Sequence, residues 1–350
     1  MLSRYDAKAT ASASGRVRPG PKRVPKQQEC EARLAYDSPV LSVAYFGPAG
    51  TFTEEALRSQ EDLAAGKRTP YSSVPEVIAA VERHDADGGV VPIENMIEGS
   101  VSVTLDTLAF ESDLLIQREI DLPVSLNLCA PAGVGLADVR TVVSFPHALA
   151  QCRGWLAKKL PAAEPRASHS TSDAAREVSR SKRRDLAAIC NALAADLYGL
   201  EVLGTEIEDH PENQTRFVLV GRGIPAPTGH DKTSIVCFQR KDRPGSLLGI
   251  LQEFAARDVN LTKLESRPTK RSLGDYCFFI DCEGHIADEV VAAALRHVAA
   301  KHGEVKFLGS YPVGGPAEAG AERRRAVGRA EKHAATWVDG LRAQIRPDDA

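Results

Sequence analysis

Short apolar runs alternate with longer segments of helical periodicity between about residue 40 and residue 221. The runs 41–46, 88–92 and 186–190 are short, apolar and bounded by turn residues, so they predict buried strands. The segments 74–84 and 147–160 repeat apolar residues at helical spacing instead. Strands that alternate with helices in this way predict an α/β domain with largely parallel sheets.

The pattern changes after a stretch rich in proline and glycine at 225–231. The next segments have the order strand, helix, strand, strand, helix, strand, which is typical of a ferredoxin-like unit. The predicted elements are strands 233–239, 260–266, 275–282 and 305–311 and helices 247–257 and 286–301. We therefore expect an α/β domain over 39–224, a linker over 225–231 and a ferredoxin-like βαββαβ domain over 232–312.

Both ends of the chain lack such a pattern. Residues 1–36 carry eight Lys and Arg against three Asp and Glu without any apolar period, which predicts a disordered basic tail over 1–38. This tail has no apolar core of a secretory signal, although its composition permits an organelle transit peptide as an alternative. Residues 313–350 begin rich in proline, glycine and alanine and continue as a tail with a predicted helix.

The composition narrows the class of protein. Hydrophobic residues at 43% and charged residues at 26% are ordinary for a soluble globular protein, and a net charge of −3 gives no general attraction to nucleic acid or membranes. No apolar run approaches the roughly 18 residues of a membrane span. Seven cysteines without a CxxC pair indicate a reduced, cytoplasmic protein. Cys277 and Cys282 differ in strand parity, so we expect them on opposite faces rather than at a metal.

Candidate chemistry lies at the ends of predicted strands. The run 213–217 places three uncharged hydrogen-bonding residues and a cation at the start of a buried strand, and Asn95, Ser144 and Thr171 lie at strand-to-helix junctions. Ligands of open α/β sheets bind at the carboxyl ends of strands, so these residues predict one pocket. The turn 47–51 leaves free N–H groups before a helix, a natural seat for an anion, but its spacing is not that of a nucleotide-binding loop.

Four segments, in this order, carry a resemblance to a known family. They are Tyr45–Thr53, Val90–Asn95, Asn213–Phe217 and Leu264–Pro268. The chain resembles the monofunctional prephenate dehydratases with a C-terminal ACT regulatory domain over about residues 40–312. The third segment contains the Thr-Arg-Phe signature of that family, and the fourth contains its Glu-Ser-Arg-Pro effector signature.

The resemblance implies a catalytic domain of two α/β lobes, similar to the type II periplasmic-binding-protein architecture, with the active site in the cleft. It implies decarboxylative dehydration of prephenate to phenylpyruvate in phenylalanine biosynthesis. It also implies feedback inhibition by phenylalanine at the ACT domain and self-association as dimers or tetramers. Because the ring becomes aromatic during the elimination, the reaction needs no metal and no cofactor.

Within this resemblance Thr215 is the expected donor to the departing hydroxyl. The neutral candidates for holding the two substrate carboxylates, each with a helix cap or loop bond as its alternative role, are Thr53, Asn95, Ser144, Gln151 and Thr171. Arg216 either pairs with a substrate carboxylate or forms a structural ion pair, because strand parity turns it away from Thr215. Glu94 is either turned away, bound to backbone N–H groups, or protonated as a rival general acid.

The ACT segment contains the parts that an amino-acid effector requires. Its expected binding residues lie at the start of the first helix and on the following strand: Gly245, Ser246, Leu247, Leu248, Asn260, Leu261, Glu265 and Ser266. The helix start would bind the effector carboxylate, Glu265 its ammonium group, and the leucines its side chain. In an alternative interpretation Gly245 only shapes a turn, and Arg267 buttresses a subunit interface.

Two departures from the family pattern leave questions open. Phe145 stands where many relatives have histidine, so this position cannot transfer protons. Ser246 adds a hydroxyl where the family often has alanine, which affects the selectivity for the effector.

Arogenate dehydratase, which performs the same elimination on the aminated substrate, is an alternative function. A non-catalytic amino-acid sensor is another, against which the intact run 215–217 argues.

Overall fold

The computed structural model describes residues 42–239, 244–270, 275–314, 333 and 336–344. The predicted basic tail over 1–38 lies outside these residues. Within the predicted C-terminal tail, residues 336–342 are helical. None of the helices in the described ranges combines the length and the apolar composition that crossing a membrane requires.

The α/β region contains eleven strands and eight helices among its described residues. Its strands are β1 Ser42–Phe46, β2 Lys67–Tyr71, β3 Gly88–Asn95, β4 Gly99–Ser100, β5 Leu115–Pro123, β6 Asn127–Ala130, β7 Thr141–Ser144, β8 Glu164–Ala167, β9 Leu186–Cys190, β10 Glu201–Gly204 and β11 Gln214–Gly221. Its helices are α1 Phe52–Arg58, α2 Glu61–Ala64, α3 Val74–Glu82, α4 Ser102–Phe110, α5 Pro146–Gln151, α6 Arg153–Lys159, α7 Thr171–Arg180 and α8 Ala192–Leu197.

These strands form two sheets, and each sheet is the centre of one lobe. The first has the order β2-β1-β3-β11-β5, with β4 paired to β3, and the second has the order β10-β6-β9-β7-β8. The chain builds the first lobe with β1–β5, passes to the second with β6–β10, and returns with β11. The two-lobed α/β architecture expected from the sequence is therefore present.

The expectation of largely parallel sheets is wrong. Strand β1 is parallel to β2 and β3, and β7 is parallel to β8 and β9. Strand β11 is antiparallel to β3 and β5, and β6 is antiparallel to β9 and β10. The reason is topological, because a strand that returns from another lobe enters the sheet without the βαβ crossover that enforces parallel pairing.

The C-terminal region forms a separate four-stranded antiparallel sheet. Its elements are β12 Asp231–Gln239, α9 Ser246–Ala255, β13 Leu261–Pro268, β14 Tyr276–Glu283, α10 Glu289–Lys301 and β15 Gly303–Pro312. The strand order β13-β14-β12-β15 is that of the predicted ferredoxin-like unit. Cys277 packs on the face toward the first lobe and Cys282 on the face toward α9 and α10, which confirms the expected parity.

This sheet packs directly on the first lobe. Val218 and Val220 of β11 share one apolar core with Val236 of β12 and Phe279 of β14, whereas Phe217 of β11 faces the other side of its sheet. The strand that carries Thr215 therefore also supplies part of the contact between the two domains. Apolar side chains pack on both faces of β11, and the C-terminal sheet contributes to one of these two cores, so the position of β11 is fixed from both sides.

Gly309 lies where the backbones of these two domains approach each other closely. It has φ of +145°, and an added Cβ would come within 2.5 Å of the Ile116 carbonyl oxygen on β5. We expect Gly309→Ala to destabilise the protein by about 1–3 kcal/mol, because the backbone of one strand must move away from the other. Urea unfolding measures this change. Gly223→Ala, at a left-handed glycine with open space around it, is the control for the backbone effect alone.

Candidate active site

The hydroxyl of Thr215 and the side-chain amide of Asn95 meet on neighbouring strands. Thr215 of β11 is the cross-strand partner of Asn95 of β3, and Asn95 Nδ2 donates a hydrogen bond of 2.8 Å to Thr215 Oγ1. The two residues are 120 positions apart in the chain. The expectation that they lie together is thus confirmed by the pairing of β3 with β11.

The other end of the Asn95 side chain fixes its orientation. Asn95 Oδ1 accepts hydrogen bonds from the backbone N–H groups of Ile97 and Glu98, both at 3.0 Å. These bonds close the turn between β3 and β4 and leave the NH₂ group of Asn95 directed at Thr215. Because Asn95 donates to Oγ1, it uses an acceptor position of the hydroxyl and leaves the O–H of Thr215 available as a donor.

Two further amides extend this group to the second lobe. Asn95 Nδ2 also lies 3.1 Å from Asn213 Oδ1, and Asn213 Nδ2 donates to Gln151 Oε1 of α5 at 3.2 Å. Gln151 Nε2 lies 3.4 Å from Glu98 Oε1, so the chain of contacts returns to the first lobe. Asn95, Gln151, Asn213 and Thr215 are called the amide–hydroxyl cluster below. The cluster spans the two lobes with neutral donors only.

Three members or neighbours of the cluster were missed as individual site residues. Asn213 is almost fully buried, and its place in the run 213–217 was the signal that could have identified it. His147 Nδ1 lies 2.7 Å from Glu98 Oε2, which joins α5 to the β3–β4 turn. Both are exposed polar residues in loops or helix starts, where the sequence carries no periodic signal. The ring of Phe145 stacks on His147 at 5.2 Å between ring centroids.

Arg216 and Glu94 lie on the opposite face of the same two strands. Arg216 Nη2 is 3.0 Å from Asp281 of β14 and 3.3 Å from Glu94, and Arg216 Nη1 is 3.5 Å from Glu119 of β5. Glu94 is also 3.2 Å from Lys263 Nζ. The structure therefore places Arg216 in an ion-pair network toward the four-stranded C-terminal sheet and does not bring it together with Thr215. Burial opposes the charge of Arg216, but the surrounding carboxylates outweigh it and raise the guanidinium pKa.

Glu94 is consequently a weak candidate for the acid of the reaction. We expect Glu94→Gln to leave the shape of the pH–rate profile unchanged, because its carboxyl group faces Arg216 and Lys263 rather than Thr215. The stability loss should be about 1 kcal/mol or less, since the side chain is 35% exposed and its ion pairs are screened. Steady-state rates across pH measure the first effect. Loss of an ionisation in the variant would instead make Glu94 the acid.

The remaining neutral candidates are not part of the cluster. Ser144 Oγ donates to the Ile189 carbonyl at 2.7 Å and is completely buried between β7 and β9. Thr171 begins α7, but Ser170 provides the N-cap by accepting from Asp173 N. Thr53 is buried within α1. Ser144 thus has the structural role that was the alternative to substrate binding: its hydroxyl bonds to the backbone, because the adjacent strand covers the end of β7.

The turn 47–51 binds a carboxylate of the chain itself. Gly50 N donates to Glu54 Oε2 at 2.7 Å, and Arg58 pairs with the same side chain. Burial raises the pKa of Glu54, but the Gly50 N–H and Arg58 outweigh it and lower the pKa overall. The hydroxyls of Ser172 and Tyr198 donate to the Ala49 carbonyl, which joins the turn to α7 and α8 of the second lobe.

The expected effector residues divide between the two faces of the C-terminal sheet. Gly245 has φ of +84° and precedes α9, which begins with Ser246, Leu247 and Leu248. Leu261 packs with Leu247 in the core beneath α9. The parity of β13 places the side chain of Ser266 on this α9 face as well. Asn260 donates to Glu283 Oε1 at 3.1 Å.

Glu265 belongs to the opposite face of the C-terminal sheet. Its cross-strand partner is Phe279, which packs toward the first lobe. There Glu265 accepts from Ser100 Oγ at 2.6 Å and pairs with Arg267 at 3.1 Å. The structure therefore does not bring Glu265 together with the α9 residues as one pocket within this chain, because successive residues of a strand point to opposite faces.

Comparison with known proteins identifies both domains. A sequence model described as prephenate dehydratase matches residues 43–224, and one described as ACT domain matches residues 233–299. The prephenate dehydratase of Mycobacterium tuberculosis is 44% identical over 328 residues, which cover 89% of this chain and 98% of that protein.

Solved structures with the same fold include a prephenate dehydratase from Arthrobacter aurescens in complex with L-Phe. It is 38% identical, with a TM-score of 0.77, and the match covers 86% of this chain and 99% of that chain. A second structure is GqqA, described as a novel type of quorum quenching acylase. It is 30% identical with a TM-score of 0.70, and the match covers 79% of this chain and 98% of that chain.

Proposed function

This chain belongs to the prephenate dehydratase family, and on that premise we propose that the amide–hydroxyl cluster is the place where prephenate loses its ring hydroxyl. The protein is a carbon–oxygen lyase that converts prephenate to phenylpyruvate with loss of water and carbon dioxide, the phenylalanine-forming branch of aromatic biosynthesis. The observation that carries the proposal is the hydrogen bond of 2.8 Å from Asn95 to Thr215 Oγ1.

The elimination requires from the protein mainly a hydrogen-bond donor to the departing oxygen. As the ring carboxylate leaves as carbon dioxide, its electrons move toward the carbon that bears the hydroxyl, and the hydroxyl departs as the ring becomes aromatic. The departing oxygen gains negative charge in the transition state. A fixed hydrogen-bond donor aimed at that oxygen stabilises the transition state more than the ground state.

Thr215 is suited to this role by its position rather than by its acidity. A threonine hydroxyl is too weak an acid to protonate hydroxide freely, so it stabilises the developing charge or relays a proton. Asn95 occupies an acceptor position of the hydroxyl, which directs the O–H away from Asn95. Asn95, Asn213 and Gln151 supply neutral amides that exchange their bonds to one another and to Glu98 for bonds to the two carboxylates, without a buried charge that would need its own partner.

The ACT domain is the place of feedback regulation. The Arthrobacter relative was solved with L-Phe, and this chain carries the same two domains. We propose that phenylalanine binds on the α9 face, with its carboxylate near Gly245 and Ser246 and its side chain beside Leu247, Leu248 and Leu261. The support is that these residues lie at or beneath the start of one helix, whose N-terminal N–H groups favour an anion.

The domain limits, the assembly and the location of the protein are proposed as well. We propose the domain limits 39–224, 225–231 and 232–312, self-association as a dimer or tetramer, and a cytoplasmic location. Leu248, Leu264 and Tyr276 of the ACT domain are exposed apolar residues, which supports a further partner surface there. Analytical ultracentrifugation of the full chain tests the assembly.

The decisive experiment is an ultraviolet assay for phenylpyruvate with purified protein, prephenate and increasing phenylalanine. We expect turnover of prephenate and inhibition by phenylalanine in the same sample. A parallel assay with arogenate compares the turnover of the aminated substrate with that of the keto substrate. Faster turnover of arogenate would make arogenate the assigned substrate. Binding of phenylalanine without any turnover of either compound would indicate a sensor.

A further inference from the structure

Side chains of the ACT strand β13 contact the β3–β4 hairpin that carries Asn95. Lys263 Nζ donates to Ser100 Oγ at 2.6 Å, and Ser100 Oγ donates to Glu265 Oε2 at 2.6 Å. Lys263 Nζ also lies 3.2 Å from Glu94 Oε2. Lys263, Glu265, Ser100 and Glu94 are called the interdomain clamp below.

The clamp connects to the active site through the geometry of one short hairpin. Glu94 pairs across the strands with Ser100, and Asn95 pairs with Gly99. Neighbouring residues of a strand point to opposite faces, so the same two positions of β3 present Glu94 to the ACT domain and Asn95 to Thr215. A displacement of this hairpin therefore moves the Asn95 amide relative to Oγ1.

The buried Lys263 ammonium group and the carboxylates of the clamp stabilise one another's charges. The side chain of Lys263 is only 8% exposed, and its ammonium group contacts Ser100, Glu94 and Glu265. For Glu265, burial raises the carboxyl pKa, but Ser100, Arg267 and Lys263 outweigh it and lower the pKa overall. Two of the three partners of this buried cation, Glu94 and Ser100, lie on the β3–β4 hairpin, so the cation restricts the positions that the hairpin can adopt.

Resting on the proposed function, we propose that Lys263, together with Glu265 and Ser100, positions the active site: the clamp holds the β3–β4 hairpin so that Asn95 keeps the Thr215 hydroxyl aligned with the departing oxygen of the substrate. These residues touch no reacting atom. Glu265 then acts from the regulatory domain on the hairpin, instead of only serving the ammonium group of an effector.

Strand β13 also offers a matched control at the same interface. Arg267 of β13 pairs with Asp106 of α4 at 2.9 Å, and Lys270 pairs with Asp106 at 2.7 Å. Asp106 is 15% exposed and lies outside the hairpin. Asp106→Asn therefore weakens the docking of β13 on the first lobe and leaves the contacts of Lys263 with Ser100 and Glu94 in place; it reaches the clamp only through Arg267, which also pairs with Glu265 at 3.1 Å.

The test compares Lys263→Met and Ser100→Ala with Asp106→Asn in steady-state assays on the full chain. We expect kcat to fall by about tenfold or more in the two clamp variants, with KM for prephenate nearly unchanged, because a small misplacement of a catalytic group is costly. Asp106→Asn should keep nearly the parent kcat. Denaturation midpoints identify any variant that is merely unfolded, and Ser100→Ala, which removes no charge, serves if Lys263→Met does not fold.

A double-mutant cycle separates positioning from general structural support. In the Asn95→Ala background, Lys263→Met should have little further effect on kcat, since the group it positions is already absent. Equal losses of kcat in clamp and control variants, or full additivity of Lys263→Met with Asn95→Ala, would overturn the proposal. A parent enzyme that forms no phenylpyruvate would instead contradict the proposed function.

Discussion

Replacing Thr215 with alanine is expected to lower the turnover of prephenate by roughly a hundredfold or more while the protein stays folded. Removal of one preorganised donor to a developing oxyanion typically costs about 2.7–4 kcal/mol of transition-state stabilisation. The residue is only partly buried, and its hydroxyl is bonded to Asn95, so the methyl and hydroxyl groups contribute little to the core. Stopped-time assays of phenylpyruvate at saturating prephenate measure the loss.

Two matched variants at the same position make this prediction specific. Thr215→Val keeps the shape and the strand preference but removes the hydroxyl, so it should be as slow as Thr215→Ala. Thr215→Ser keeps the hydroxyl and should retain most of the activity. A valine variant with parental kcat would exclude the hydroxyl as the donor and leave Asn95 or another group in that role.

Replacing Arg216 with alanine is expected to act mainly on stability. Its side chain is 15% exposed and its guanidinium lies among Asp281, Glu119 and Glu94, so removing it leaves these carboxylates without their central cation. Breaking such a buried network costs about 3–5 kcal/mol. This is a large part of the roughly 5–15 kcal/mol that stabilises a typical protein. The free energy of unfolding in urea measures the effect.

The control for Arg216 is an exposed ion pair between an arginine and an aspartate. Arg83 pairs with Asp85 at 3.0 Å, with side chains 59% and 50% exposed, so Arg83→Ala should change stability by no more than about 0.5 kcal/mol. Pairing Arg216→Ala with Asp281→Asn should recover part of the loss, because one uncompensated charge is removed. A large rise in KM for prephenate without loss of stability would return Arg216 to the substrate site.

Several features of the site followed from local sequence. The parity of the run 213–217 correctly separated Thr215 from Arg216, and parity also separated Cys277 from Cys282. The position of Asn95 at the end of a strand correctly placed it beside Thr215. These inferences succeed because the direction of a side chain within a strand depends only on the period of the backbone.

Other features could not be obtained in this way. Ser144 has the residue type and the strand-end position of a site residue, yet its hydroxyl is used by the Ile189 carbonyl. Glu265 lies within a recognisable effector signature, yet its side chain contacts Ser100 of the first lobe. In both cases the partner is distant in sequence, and no local pattern indicates which surface will cover a given side chain.

The sequence by itself determined the two domains, the order of most strands and helices, the family, and the placing of Thr215 and Asn95 in one candidate pocket. Only the tertiary structure decided that β11 returns from the second lobe to lie antiparallel between β3 and β5, that Asn213 and Gln151 join the lobes, and that β13 holds the hairpin of Asn95. The physical reason is that periodicity reports which face of an element is buried, whereas the partner of that face is selected by the packing of the whole chain.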